Sequence, residues 1–190
     1  PVYEFKKYLT THFNCHFIFI KDRYQCWYFK GIYGLGHNFT KSVKRLKKLI
    51  SKIKYSKIIT LGTSAGGYAA ILFGILLKVD SIISFSPQTF LDKKNRIKYD
   101  DNSREERIER LYKLDSLNTE RYFDLLTLNP VAIKKITIIL GIDDKTDVKH
   151  IERMAIWKNV DIIRCNGGHV VVKTLRNNGR LYKILKSHIE

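Results

Sequence analysis

The 190-residue sequence predicts an α/β fold, a doubly wound, mostly parallel sheet. Three observations carry that reading. Short, continuous apolar runs rich in β-branched residues recur along the chain, as strands buried on both faces do. Segments with apolar residues at helical spacing separate them. The side chains able to do chemistry fall just beyond the ends of those runs, where open parallel sheets hold their sites.

Residues 3–11 (YEFKKYLTT) predict a short amphipathic helix, and "CHFIFIKD" (15–22) a buried parallel strand. An aromatic, glycine-rich loop, "CWYFKGIYGLGHNF" (26–39), follows. In "TKSVKRLKKLISKIK" (40–54), Val43, Leu46, Leu49, Ile50 and Ile53 recur at helical spacing among lysines, which predicts a basic surface helix. Strand 57–62, helix 66–77 and strand 79–86 come next. A polar, charge-dense insertion, 87–130, is expected to act as a cap; within it 103–117 predicts a helix with Ser103 as N-cap and Glu106 closing a capping box. Strand 135–141, helix 147–157, strand 160–165 and a single closing helix from Val171 to Ile189 complete the alternation.

Composition bounds the function. Hydrophobic residues make up 44% of the chain, which excludes a disordered polypeptide, and 190 residues predict a single domain, 1–190. No apolar run approaches the roughly eighteen residues of a membrane span. Cys15, Cys26 and Cys165 are odd in number and lack C-x-x-C spacing; they argue against a disulfide framework or a zinc site, and for a cytoplasmic location. The net charge of +17 favours polyanionic partners, but its lysines are dispersed and no arginine-rich or RNP-like motif appears, so no nucleic-acid partner is expected.

The stretch "KIITLGTSAGGYAAILFG" (57–74) takes a β-branched run into Gly62-Thr63-Ser64-Ala65-Gly66 and then into a helix, the context that a G-x-S-x-G nucleophile elbow requires. Ser64 is the expected nucleophile, and Gly62 and Gly66 are expected to be glycines because a side chain at either would clash. The backbone N–H of Ala65, at the helix N-terminus, is the expected oxyanion donor. This chemistry demands an acid and then a histidine, in that order. Strand 135–141 ends in "LGIDDKTD", where the offset from its last glycine selects Asp144, with Asp143 and Asp147 left open as neighbours and Asp147 equally able to cap the next helix. Strand 160–165 ends in "CNGGHVVV", which places His169 in a loop before the last helix, its two glycines implying a close backbone approach. The expected reaction is acyl transfer through an acyl-Ser64, with no metal and no tightly bound cofactor.

The elbow, the following "SFSPQTF", the acid segment "GIDDKTDVKHIERM", the terminal "GGHVVVKTLRNNGRL" and the loop "WYFKGIYGLG" together resemble α/β-hydrolase-fold proteins of bacterial capsule and surface-polysaccharide loci. Serine-dependent polysaccharide O-acetyltransferases are among them. The resemblance runs from about residue 15 onward. It implies that Ser64, Asp144 and His169 form the triad, that acetyl-CoA is the acyl donor, and that the acceptor is a glycan hydroxyl, on an acidic polymer if the basic charge is any guide. An esterase or deacetylase with the same triad, and a non-catalytic glycan-binding or assembly module, are the competing readings. One departure from the family stands out: only one predicted strand precedes the elbow strand, and no HGGG-type loop supplies a second oxyanion donor. Either the residues from Pro1 onward lack the N-terminal strands of the domain, or the donor comes from elsewhere, such as the Lys30–Ile32 backbone.

Overall fold

The computed structural model describes residues 3–114 and 119–190. Four strands, Ile59–Thr63 (β1), Ser81–Phe85 (β2), Lys135–Gly141 (β3) and Val160–Cys165 (β4), form one parallel sheet in the order β1-β2-β3-β4. The helices are Lys6–His12 (α1), Phe39–Ile50 (α2), Ala65–Leu77 (α3), Lys93–Lys98 (α4), Glu105–Tyr112 (α5), Lys145–Glu152 (α6), Val171–Asn177 (α7) and Arg180–Ile189 (α8). Thr63 pairs with Phe85, Phe85 with Ile139, and Gly141 with Cys165, so the four carboxyl ends share one edge.

When neighbours in the sheet are also neighbours in sequence, right-handed crossovers place all connecting helices on one face. Accordingly α3, α5 and α6 lie with α2 over Ile82, Ile136, Ile138 and Leu140, while α1, α7 and α8 cover Ile83, Phe85, Ile139 and Cys165 on the other. Alternate residues of each strand thus feed two separate cores. Helix α3 is apolar all round because it is buried all round: Tyr68, Ile71 and Leu72 have no exposed surface.

Several expectations change. The run 15–22 forms no strand; its side chains are satisfied without a ladder, Phe17 stacking on Phe19 toward the α1/α7/α8 core and Ile20 turning to the other. Continuous hydrophobicity reports burial of side chains and says nothing of backbone pairing. The predicted capping box is absent: α5 begins after Arg104, whose φ of 56° is left-handed and which makes no side-chain cap, and Ser103 lies one residue too early. The last part of that predicted helix, 115–117, lies outside the described residues. The closing helix is two, α7 and α8, broken where Gly179 takes a φ of 72°. The predicted helix at 147–157 starts earlier, at Lys145, and ends in a 3-10 turn at Arg153–Ile156.

The insertion 87–130 is rooted at its base. Leu91 N–H donates to Phe123 O and Leu125 N–H to Thr89 O, with Phe90 and Leu125 fully buried beneath. Arg153, in the 3-10 turn after α6, closes the root, its two terminal guanidinium nitrogens on the Asp124 carboxylate at 2.7 and 2.8 Å.

A candidate active site at the carboxyl edge of the sheet

Ser64 stands between β1 and α3 with φ 54° and ψ −122°, a conformation that L-residues rarely adopt and that persists only where its surroundings enforce it. Here the enforcement comes from both sides: Ser64 N–H donates to Phe85 O of β2 at 2.8 Å, and Ser64 O accepts from Tyr68 N–H at 3.0 Å. The close approach predicted at the elbow is real but one-sided. A Cβ on Gly62 would sit 2.0 Å from Gly66 O, whereas a Cβ on Gly66 would meet nothing within 4 Å. Gly62 is therefore the steric requirement, and Gly66 contributes its backbone.

His169 reaches Ser64 by the same logic. A Cβ on Gly141, the last residue of β3, would lie 2.2 Å from Gly167 O and 2.3 Å from Gly168 O, so the loop after β4 rests directly on the end of β3. Asp143 pins it, its N–H donating to Gly167 O at 3.1 Å and its carboxylate accepting from Gly167 N–H at 3.0 Å. In this position His169 Nε2 lies 3.0 Å from Ser64 Oγ.

The carboxylate that meets His169 is that of Asp147 rather than Asp144. Both Asp147 oxygens lie 2.9 Å from His169 Nδ1, and the side chain is almost wholly buried. Asp144 instead caps α6: its Oδ1 accepts from the N–H groups of Thr146 and Asp147, each at 3.0 Å. The reason is helical geometry. An N-cap carboxylate folds back on the first turn, and the residue three further on is the one that faces the sheet edge. The three neighbouring aspartates thus divide the work: Asp143 holds the histidine loop, Asp144 starts the helix and Asp147 meets the imidazole. Donor atoms of Asp144, Asp147 and His169 come within 4.8 Å of one another, but they are engaged in these hydrogen bonds.

With a carboxylate at Nδ1, the imidazole carries its proton there and presents a lone pair at Nε2, which can accept the Ser64 proton. Ala65 is the first residue of α3 and directly follows Ser64, so its N–H has no partner within the helix. Of the backbone named for a second donor, two N–H groups are already committed: Gly31 N–H donates to Tyr28 O and Ile32 N–H to Ser42 Oγ. In its place stands Gln88, buried beyond the end of β2, whose Nε2 lies 3.3 Å from Ser64 Oγ. The orientation of that amide is set by Trp27, whose indole N–H donates to Gln88 Oε1 at 3.2 Å. Trp27 is in turn delivered by a tight turn around Asp22, whose carboxylate accepts from the N–H groups of Tyr24, Cys26 and Tyr28. Arg104 completes the ring, one guanidinium nitrogen lying 3.2 Å from Ser64 Oγ and 3.1 Å from His169 Nε2. Sequence reasoning assigned no role to Gln88 or Arg104; the Pro-Gln pair after a strand end was the one signal pointing to the first.

No family model and no curated protein matches the chain. Among solved structures it is similar to the capsule O-acetyltransferase of Neisseria meningitidis serogroup A, solved as a histidine-to-alanine mutant in complex with CoA: TM-score 0.51, 19% identity, covering 78% of this chain and 67% of that one. It is also similar to acetyl xylan esterase 1 from Thermoanaerobacterium sp., with TM-score 0.51, 16% identity and coverage of 77% and 52%. A third is MGS-MChE2, an alpha/beta hydrolase enzyme from a sediment metagenome, with TM-score 0.51, 18% identity and coverage of 78% and 69%. The chain spans about half to two-thirds of the length of these proteins. The likeness, with the parallel sheet and flanking helices, shows an α/β-hydrolase fold.

Proposed function

We propose that the protein catalyses acyl transfer through an acyl-Ser64 intermediate, with His169 as general base and Asp147 as its orienting acid. The observation that carries this reading is the unbroken chain Ser64 Oγ–His169–Asp147, with links of 3.0 and 2.9 Å, set at the shared carboxyl edge of the strands. His169 Nε2 takes the Ser64 proton as Oγ attacks an ester or thioester carbonyl; Asp147 holds the tautomer and faces the imidazolium that forms. Ala65 N–H and the Gln88 amide donate to the developing oxyanion, which is worth most in a preorganised site. The leaving group departs with the proton from His169, and a second nucleophile, deprotonated by the same imidazole, takes the acyl group from Ser64.

The acyl group most in keeping with the resemblance is acetyl, given by acetyl-CoA to a hydroxyl of a bacterial capsular or surface polysaccharide, and a cytoplasmic location would suit that donor. The likeness to an O-acetyltransferase solved with CoA supports this choice. Hydrolysis is the second reading, favoured by the 28% exposure of the His169 side chain, which leaves the imidazole open to water. A fluorophosphonate probe should label the wild-type protein and not Ser64→Ala; equal labelling, or none in either, removes both readings. Acetyl release from acetyl-CoA that rises with added acetyl-free capsular glycan favours transfer. Release unaffected by glycan, with turnover of simple esters, favours the hydrolase.

A further inference from the structure

Among the described residues Arg104 is the one fixed cation at Ser64, and the fold goes to some length to put it there. It sits in a left-handed conformation between a buried turn and α5. The turn is locked by Asp101, whose carboxylate accepts from Ser103 N–H and from Arg96 Nη1, each at 2.9 Å. Arg96 Nη1 also donates to Ser103 O at 3.0 Å, and His150 Nε2 faces the same carboxylate at 3.4 Å. Asp101, Arg96 and His150 are all buried. The residue that this network presents to the site is Arg104.

What the guanidinium does there follows from its chemistry. It donates and never accepts, and it keeps its charge at any working pH. Among the described residues no carboxylate pairs with it; its guanidinium lies against Ser64 Oγ and His169 Nε2. When His169 takes the serine proton, an imidazolium and a guanidinium face each other at hydrogen-bond distance. A negative group on the substrate that pairs with Arg104 draws it off His169 and removes that repulsion, so catalysis and anion binding are coupled. From 3.2 Å beyond Oγ, the guanidinium can reach only a group carried close to the reacting carbonyl, which excludes a phosphate at the far end of a long donor.

We propose that Arg104 is a carboxylate receptor, and that the hydroxyl-bearing half of the substrate is an acidic sugar whose carboxylate lies near the acylated oxygen. This deepens the acyl-transfer reading above and rests on it. Three phenyl esters test it: phenyl acetate, neutral; 2-acetoxybenzoate, with a carboxylate on the alcohol half; and monophenyl succinate, with one on the acyl half. Arg104→Ala is expected to lower kcat/KM for 2-acetoxybenzoate at least about tenfold more than for phenyl acetate, with Arg104→Lys intermediate. An equal loss on all three esters, or a selective loss on monophenyl succinate, overturns the assignment. A binding measurement needs no turnover: in Ser64→Ala, calorimetry should show salicylate binding more tightly than phenol, a preference lost in Ser64→Ala/Arg104→Ala. No preference in Ser64→Ala overturns the proposal. A preference seen in Ser64→Ala and lost in the double variant, while the wild-type serine resists fluorophosphonate, sinks the acyl-transfer reading and leaves the carboxylate site standing; a preference kept in the double variant overturns the proposal.

Discussion

Asp144 and Asp147 lie three residues apart on the same turn, and exchanging each for a neutral residue should separate catalysis from stability. Asp147→Asn keeps size and burial but offers His169 Nδ1 an amide that can donate. The imidazole then carries its proton on Nε2 and can no longer accept from Ser64, 3.0 Å away. In serine triads this tautomer error costs on the order of 10⁴-fold in kcat, equivalent to about 5 kcal/mol of transition-state stabilisation. Asp144→Ala removes two cap hydrogen bonds of 3.0 Å at the start of α6. A lost N-cap costs about 1 kcal/mol, which for a chain of this size is a fall in Tm of about 2–4 °C. Because one of those bonds holds the N–H of Asp147, the Asp144→Ala rate should also fall, by less than about tenfold. Asp144→Asn retains a good cap and should leave both rate and Tm near wild type. Fluorophosphonate labelling rate and ester turnover read the first effect, thermal melting the second. If Asp144→Asn silenced labelling while Asp147→Asn left it intact, the assignment of the acid would be wrong.

Gln88→Leu should lower ester turnover by on the order of a hundredfold with substrate affinity little changed, and Trp27→Phe by less, since it only frees the amide to rotate; turnover unaffected in both would remove Gln88 from the oxyanion site. Gly62→Ala should fail to yield folded protein, its Cβ falling 2.0 Å from Gly66 O, whereas Gly66→Ala should fold and melt near wild type, and circular dichroism melts distinguish the two. Burial, followed by the charges of Lys135 and Lys57, pushes His188 down to about 4, so its neutral form is the one folded between Ser81 and Thr137. Stability it contributes is fully present above the ordinary histidine value and is lost as pH falls from about 6.5 toward 4, by at most about 2 kcal/mol at pH 5. Urea unfolding at pH 7 and pH 5 should show that loss in wild type and a smaller one in His188→Gln.

The strands were legible where apolar runs of five to seven residues are bounded by turns, and β3 and β4 fall where the pattern places them. The run at 15–22 carries the same signal and forms no ladder, because hydrophobicity records what side chains bury and a strand also needs a backbone partner. Ser64 and His169 were legible because their loops must pass close to other backbone, and that need is written in glycine. The choice among Asp143, Asp144 and Asp147 was not. An offset from a strand end locates a turn, but which carboxylate faces the histidine depends on where the helix begins, a difference of one or two residues. Gln88 and Arg104 had less still to mark them, since a lone amide or arginine in a polar insertion looks the same whether solvated or aimed inward.

The buried residues around the site suggest why these side chains act together. His150 lies three residues beyond Asp147 on α6, hence on the same face of the helix. Its Nδ1 accepts from Thr89 N–H at 3.1 Å, the residue next to Gln88, and its Nε2 faces Asp101, which locks the turn carrying Arg104. Burial alone would raise the Asp101 carboxyl; the approach of His150 and the hydrogen bonds from Ser103 overcome it and hold the carboxyl well below the usual carboxylate range. One face of α6 therefore holds Asp147 against His169, bonds Thr89 next to Gln88 and backs the turn that carries Arg104. On the proposed reaction a displacement of this helix should therefore disturb all three together, and contacts between the insertion and α6 should matter to rate as much as to stability.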